Sequence, residues 1–218
     1  MKYIIIGSGE VGSDIAKDLA ITKGTTEICV ADINLESAQK LAEEIGSLAK
    51  PIRIDIYDNK SVREAIRGYD VVVNVVGPSY RSTKPVLEAC LDEKVNYVDI
   101  ADDASAVVEL LTYSDKCEQA GIVALVSQGV SPGTTNMMAL LGANKLDEVD
   151  EIHTSWAQSP TGVIGPANIW HAIEMGTGEV PQYLDGEYVN VPAGSGGKTI
   201  PFREPMGDYP ARYVGHVE

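Results

Sequence analysis

The chain has 218 residues, 44% of them hydrophobic and 22% charged, a composition typical of a globular protein. Its formal net charge is −15. A phosphate backbone would be repelled, and we expect no nucleic-acid partner. The three cysteines and three histidines show no disulfide or metal-binding spacing, so no metal site is predicted. The chain begins directly with a strand pattern and has no long apolar run. We therefore expect a cytoplasmic protein without a secretory leader or a membrane partner.

Apolar strand patterns alternate with amphipathic helix patterns over the first 128 residues. The predicted strands cover residues 2–6, 27–31, 52–56, 71–76, 95–100 and 122–126. The predicted helices cover residues 13–20, 34–46, 58–68, 83–92 and 104–119. Six strands joined by helices predict an α/β fold with a doubly wound parallel sheet of the Rossmann type.

The pattern changes near Ser127, where glycine and proline become frequent. We predict a helix over residues 136–145 and strands over residues 149–157 and 188–191. These elements indicate a smaller, incomplete α+β domain with an antiparallel sheet. The predicted boundaries are 1–128 for an NAD(P)-binding Rossmann domain and 129–218 for a partial substrate and dimerisation domain. An uncovered strand edge invites a partner, so a homodimer is expected.

A glycine-rich turn between the first strand and the first helix indicates dinucleotide binding. Gly7, Gly9 and Gly12 form a GxGxxG pattern, and Asp32 ends the second strand. The glycines permit a tight turn, a close approach of the backbone to a pyrophosphate, and close packing of helix on sheet. Asp32 is the expected acceptor for the adenosine ribose hydroxyls. Because no arginine or lysine directly follows Asp32, the sequence predicts NAD rather than NADP.

Ligands of open α/β sheets bind beyond the carboxyl ends of the strands, where three loops qualify. The loop after the fourth strand lies where a nicotinamide ribose usually binds. The predicted cofactor contacts are Gly7, Ser8, Gly9, Glu10, Val11, Gly12, Asp32, Asp55, Asn74, Val75, Gly77 and Pro78.

Two of these loops offer candidate substrate contacts. Tyr80 either contacts substrate, with a catalytic role, or packs on its loop, and Arg81 either holds a carboxylate or is a solvated surface residue. Pro132 and Gly133 lie just before the helix of the second domain. The free amides at its start are candidates to bind a substrate carboxylate, and the alternative is a rigid turn between domains.

Three aspartates follow the fifth strand. Carboxylates that crowd together raise each other's pKa, so one of them is a candidate proton acceptor. We assign that catalytic role to Asp102. Asp103 is interpreted as a helix cap and Asp99 as a support for the loop.

The remaining chemically active side chains are interpreted mainly as structural. His153 is placed in an alternating strand, and His171 on a helix without a recognisable metal partner. His216 is either a residue near the site or a packing residue. Cys90 lies among apolar residues and is interpreted as a buried thiol, which argues against a thioester mechanism.

Four blocks, at residues 7–12, 74–80, 95–99 and 129–136, together with the tail at 212–218, resemble the saccharopine dehydrogenase family. The resemblance implies a two-domain, nicotinamide-dependent oxidoreductase that acts on the C–N bond of an amino acid such as lysine or saccharopine. A carboxyspermidine-type polyamine dehydrogenase and a non-catalytic NAD-binding module remain alternatives. Members of the family are considerably longer, so we expect the chain to be a fragment or a shortened relative.

Overall fold

The computed structural model describes residues 1–157, 159 and 166–216. The chain divides into two compact units. The first unit comprises Met1–Ala101 and Ser105–Gly129, and the second comprises Asp102–Ala104 and Val130–Glu218. The short stretch after the fifth strand therefore belongs structurally to the second unit. In the part of the chain that the structure describes, no helix is both long and apolar enough to cross a bilayer.

The first unit contains a six-stranded parallel sheet. Its strands are β1 (Lys2–Ile6), β2 (Glu27–Asp32), β3 (Ala49–Arg53), β4 (Val71–Asn74), β5 (Asn96–Asp99) and β6 (Ala124–Leu125). Their order across the sheet is β3-β2-β1-β4-β5-β6, and every neighbouring pair is parallel. The order reverses between β1 and β4, which creates the crevice at which doubly wound folds bind nucleotides. The predicted fold class is confirmed.

The helices of the first unit connect these strands. They are α1 (Glu10–Ile21), α2 (Leu35–Ile45), α3 (Asn59–Ile66), α4 (Ser79–Glu93), α5 (Ala104–Leu111, its first residue in the second unit) and α6 (Ser114–Ala120). The Asn34 side chain caps α2 by accepting the amides of Glu36 and Ser37, and Asp58 caps α3 in the same way.

The core lies on both faces of the sheet because successive residues of a strand point to opposite sides. Ile4 and Ile6 pack with one cluster of buried residues, whereas Ile5, Ile28 and Val30 pack with the other. All five side chains are fully buried. A parallel sheet that is buried on both faces needs apolar side chains on both faces, which explains why its strands are continuously apolar.

Most element boundaries in the first unit differ from the prediction by one to four residues, and three of the differences are informative. The helix predicted at 83–92 begins at Ser79, so Pro85 lies inside α4 rather than in its first turn. The single helix predicted over 104–119 is divided into α5 and α6. The third strand ends at Arg53 and not at residue 56. Apolar periodicity extends past the ends of hydrogen-bonded segments, and it therefore misplaces their boundaries.

The described residues of the second unit form two helices and two small antiparallel sheets. Its elements are α7 (Thr134–Ala143), α8 (Pro166–Met175), β7 (Glu179–Leu184), β8 (Glu187–Pro192), β9 (Lys198–Pro201) and β10 (Asp208–Ala211). Strand β7 pairs with β8, and β9 pairs with β10. The strand predicted over residues 149–157 was wrong, because these residues are irregular in the structure.

Candidate functional site

The glycine-rich turn between β1 and α1 has the geometry of a dinucleotide cradle. Gly7 has a φ of +110°, and a Cβ atom there would lie 3.2 Å from the backbone of Val75. A Cβ atom on Gly12 would lie 2.0 Å from the Gly7 carbonyl oxygen, so only glycine lets α1 approach the sheet this closely. At Gly9, by contrast, an added Cβ would meet no atom within 4 Å.

The open space at Gly9 lies at the first turn of α1, where Gly9 is the N-cap residue. Glycine has no side chain with which to cap the helix. The first amides of α1 are therefore left for an anion, and the helix dipole favours negative charge there. A pyrophosphate fits both features, so the residues that are present fit a bound dinucleotide.

The Asp32 carboxylate links the glycine turn to the end of β2. Its Oδ2 atom accepts hydrogen bonds from the backbone amide of Ser8 at 2.7 Å and from the Ser8 hydroxyl at 2.8 Å. Its Oδ1 atom accepts from the Asn34 amide at 2.9 Å. The Ser8 hydroxyl also contacts that of Ser37 at 2.8 Å. Asp32 is partly exposed, and these contacts fix its orientation at the strand end where an adenosine ribose would bind.

A basic residue lies beside Asp32, although the sequence around Asp32 contains none. The register of β2 and β3 pairs Asp32 with Arg53, and the amide of the next residue, Ile54, donates to the Asp32 carbonyl oxygen at 3.0 Å. Paired residues of parallel strands share a face of the sheet. A nearby arginine accommodates the 2′-phosphate of NADP. The register thus places an arginine on the strand next to Asp32, and the preference for NAD over NADP stays a prediction.

A buried polar network connects β4 and β5. The Asn74 amide donates to the Tyr97 hydroxyl at 3.3 Å, and this hydroxyl donates to Asp99 Oδ2 at 2.7 Å. Asp99 Oδ1 accepts the amides of Ala101 at 3.0 Å and Ser127 at 2.7 Å. Burial is the main reason why the pKa of Tyr97 is raised well above its ordinary value, with the Asp99 charge second. Asp99 thus supports its loop, as interpreted from the sequence.

The other predicted residues of the first unit lie around the ends of β3 and β4. Pro78 is the N-cap residue of α4, directly after the exposed Gly77. Tyr80 and Arg81 occupy the first turn of α4, and the Arg81 guanidinium lies 5.4 Å from the centre of the Tyr80 ring. Asp55 Oδ1 accepts the amide of Tyr57 at 3.0 Å. The assignments of Asp55, Asn74, Gly77 and Pro78 to the cofactor, and of Tyr80 and Arg81 to the substrate, stay predictions.

A second group of reactive side chains lies within the second unit. His171 Nδ1 is 2.9 Å from Asp103 Oδ1, and His171 Nε2 is 3.4 Å from Asp102 Oδ2. The backbone of Asp103 forms an antiparallel bridge with His216, whose ring packs 5.5 Å from Trp156 and 5.6 Å from His171 between ring centres. The Asp103 hydrogen bond raises the pKa of His171, although burial opposes this shift.

The sequence did not predict this grouping. It placed His171 on a helix, correctly, but without a partner, and it placed His153 in a strand, although His153 lies in the irregular segment. The convergence of the three carboxyl and imidazole groups around His171 depends on tertiary contacts between distant segments. The Asp-Asp pair after β5 was the one sequence signal for it, and it pointed to Asp102.

The loop before α7 is held by its own backbone and one amide side chain. Gly133 has a φ of +121°, a conformation that favours glycine, and Pro132 is buried. The Gly133 amide donates to Asn136 Oδ1 at 2.7 Å. These contacts hold the turn at Gly133, and both interpretations of Pro132 and Gly133, as a substrate site and as a rigid turn, stay predictions.

The strand order and the glycine cradle define the first unit as a Rossmann-type dinucleotide-binding domain. Residues 3–125 match the family model of the saccharopine dehydrogenase NADP binding domain, and the chain belongs to this family. The family resemblance seen in the sequence is confirmed. A nicotinamide dinucleotide is therefore the cofactor class of the domain.

Two curated proteins illustrate the relationship. The chain is 30% identical over 161 residues to carboxyaminopropylagmatine dehydrogenase of Synechocystis sp., a match that covers 70% of this chain and 39% of that protein. It is 28% identical over 175 residues to carboxynorspermidine synthase of Vibrio cholerae, covering 70% of this chain and 42% of that protein. The chain thus spans about two fifths of the length of these relatives.

Among solved structures, the chain resembles apo saccharopine dehydrogenase (L-Glu forming) from Saccharomyces cerevisiae with a TM-score of 0.68 and 18% identity. The alignment covers 97% of this chain and 49% of the yeast chain. At this identity the likeness shows a common fold.

Proposed function

We propose that the chain is part of an NAD(P)-dependent oxidoreductase that acts on the C–N bond of an amine carrying an amino-acid carboxylate. The observation that carries this proposal is the glycine cradle, with its open space at Gly9 and its tight contact at Gly12, in a domain of the saccharopine dehydrogenase family. The amino-acid substrate expected from the sequence, lysine or saccharopine, belongs to this chemical class.

The relatives favour a carboxylated polyamine within that class. The two relatives described above are named for carboxy derivatives of amines, carboxyaminopropylagmatine and carboxynorspermidine. This supports the polyamine alternative over lysine itself. Both kinds of substrate share one reaction, in which an amine and an imine are interconverted. The amine is primary in lysine and secondary in saccharopine and in the carboxylated polyamines.

A nicotinamide dinucleotide held at the glycine cradle would supply the redox chemistry, which is transfer of a hydride to or from the carbon that bears the amine. In the oxidation direction a C–H bond breaks as hydride leaves, the nitrogen loses a proton, and a C=N bond forms. Water then adds to the imine and releases an amine and a carbonyl compound. The protein must therefore orient both ligands and accept one proton.

We assign these tasks to separate residues. The first amides of α1 hold the pyrophosphate, and Asp32 holds the adenosine ribose. Arg81 holds the substrate carboxylate, for which a guanidinium offers two parallel hydrogen bonds, and Tyr80 contacts the substrate beside it. Asp102 is the proposed proton acceptor.

The test separates cofactor binding from turnover. Fluorescence titration with NADH and NADPH measures binding. Absorbance at the nicotinamide band measures turnover with lysine, saccharopine and carboxynorspermidine. Norspermidine, which lacks the carboxylate, is the control. We expect micromolar cofactor binding and turnover of at least one carboxylated amine but not of norspermidine. Binding without turnover of any amine would instead assign a non-catalytic NAD-binding module. Absence of binding would overturn the proposal.

A further inference from the structure

Three potential metal ligands converge within the second unit. Asp102, His171 and His216 each offer one ligand atom, and these atoms all lie within 4.8 Å of one another. The three side chains are half-buried, and they come from the loop after β5, from α8 and from the C-terminal tail. Two imidazoles and one carboxylate form a common ligand set of divalent transition metals.

The distance between the ligand atoms of His171 and Asp102 suits a zinc ion. His171 Nε2 and Asp102 Oδ2 are 3.4 Å apart. Two ligands that each lie about 2.0–2.1 Å from a tetrahedral zinc ion are roughly 3.4 Å from each other. This edge of the coordination polyhedron is therefore already formed, and the ligand atom of His216 lies within 4.8 Å of both other ligand atoms.

A second carboxylate orients the central histidine. His171 Nδ1 lies 2.9 Å from Oδ1 of Asp103, which is only 1% exposed. When Nδ1 carries the proton and donates it to Asp103, Nε2 presents its lone pair toward Asp102 and His216. Metal-binding histidines usually have this arrangement, because a carboxylate partner fixes the ring tautomer and strengthens the ligand.

The local charge also favours a cation. Asp102, Asp103 and Glu174 all act electrostatically on His171. Asp102 and Asp103 place two carboxylates within 3.4 Å of the His171 ring, and a divalent ion would offset part of this negative charge.

From these contacts we propose that Asp102, His171 and His216 form a binding site for a zinc-class divalent transition metal, with Asp103 as the positioning residue for His171. Three protein ligands leave a fourth tetrahedral position open to water or to an oxygen or nitrogen of a small ligand. Ca²⁺ and Mg²⁺ are disfavoured because they prefer six or more oxygen ligands. The inference differs from the sequence-based expectation of no metal, and with a metal bound Asp102 would be a ligand instead of the proton acceptor proposed above. The metal test itself does not depend on turnover.

The test measures metal content directly. The full chain is stripped with EDTA, equilibrated with a small excess of Zn²⁺, passed through a desalting column and analysed by mass spectrometry of the metal. We expect about one zinc ion per chain. Zinc at a hundredfold excess over its dissociation constant should also raise the melting temperature by about 5–10 °C. Co²⁺ should give the intense visible bands of a four-coordinate site.

The chain provides its own matched control. His153 is the remaining histidine, an exposed residue whose ring contacts Glu151 and Lys198 instead. His171→Gln and His216→Gln should each lose the zinc ion and the cobalt bands, whereas His153→Gln should keep both. Circular dichroism and NADH titration check that each variant still folds.

Two outcomes would overturn the inference. The first is a wild-type chain that holds no zinc after desalting, a result that does not depend on any variant. The second is zinc that is retained by His171→Gln or His216→Gln as it is by His153→Gln, since the metal would then be bound elsewhere.

Discussion

Alanine at Gly9 and alanine at Gly12 should have opposite effects on stability and on cofactor binding. Gly9 has a φ of −70° and a ψ of −167°, an extended conformation that alanine adopts without strain, and its added Cβ would meet no atom within 4 Å. The Cβ of an alanine at position 12 would lie 2.0 Å from the Gly7 carbonyl oxygen and 3.1 Å from the Val75 side chain. Real contacts of this kind are more than 1 Å longer, so α1 would have to move away from the sheet.

The expected magnitudes follow from these contacts. Gly12→Ala gains about 1 kcal/mol of helix propensity but overpacks the interface between α1 and β1, which costs roughly 1–3 kcal/mol or more. We expect a net loss of about 1–2 kcal/mol, which lowers the melting temperature of a chain of this size by about 2–8 °C. Gly9→Ala should leave stability unchanged or raise it by about 0.4–1 kcal/mol.

Gly9→Ala, which should not destabilise the chain, should nevertheless weaken cofactor binding. A methyl group at position 9 fills the space through which the pyrophosphate reaches the backbone, so Gly9→Ala should weaken NADH binding at least about tenfold, and Gly9→Val should abolish it. Thermal melts followed by circular dichroism and fluorescence titration with NADH measure the two effects on the same samples. If Gly9→Ala keeps wild-type affinity, the turn is not a phosphate site. If Gly12→Ala melts like wild type, the packing argument fails.

Four further predictions concern other parts of the chain. Asp32→Ala should narrow the difference between NADH and NADPH affinity, and Arg53→Ala should weaken NADPH alone, both read by fluorescence titration; equal losses for both cofactors would refute these roles. Tyr97→Phe removes a buried donor from the Asp99 carboxylate and should destabilise the chain by about 1–3 kcal/mol in urea unfolding, whereas an unchanged midpoint would contradict the network. Burial raises the pKa of the Cys29 thiol to about 11, so native protein at pH 8 should react slowly with a disulfide reagent and react fully only after unfolding. Light scattering at micromolar concentration should give the mass of a homodimer, and a clean monomer would exclude it.

The arrangement of the first unit could be predicted because its local and tertiary signals agree. Strand β1 is apolar on both faces, Gly7 and Gly9 mark the turn, and Asp32 ends the next strand. Each signal is satisfied by the same parallel sheet, and the register of β1 with β2 follows. The glycine contacts show why the spacing is fixed, since the Gly7 carbonyl occupies the space that a larger residue at Gly12 would need.

Predictions failed where the local hydrophobic pattern of a segment does not match the backbone hydrogen bonds that the segment forms in the structure. Alternation over residues 149–157 predicted a strand, yet a strand also needs a pairing partner, and the antiparallel pairs of this unit lie later in the chain. Helix α4 begins at Ser79 and includes Pro85. Pro85 lacks an amide proton and so removes one helical hydrogen bond, but the helical turn before it still forms. The sequence did not predict that Asp32 and Arg53 are paired on neighbouring strands, because this pairing depends on the register of β2 with β3.

The group formed by Asp102, His171 and His216, here called the His171 cluster, is of a kind that sequence-spacing motifs do not detect. Such motifs detect ligands that one helix or one turn presents together, as when two histidines lie four residues apart on a helix. Here a loop contributes Asp102, a helix contributes His171, and the tail contributes His216, so each lies far from the others in sequence. The buried position of Asp103 against His171 is the stronger signal, because a carboxylate that is only 1% exposed requires a partner. A buried aspartate needs such a partner wherever the partner lies in the sequence, whereas a spacing motif requires its ligands to be close in sequence.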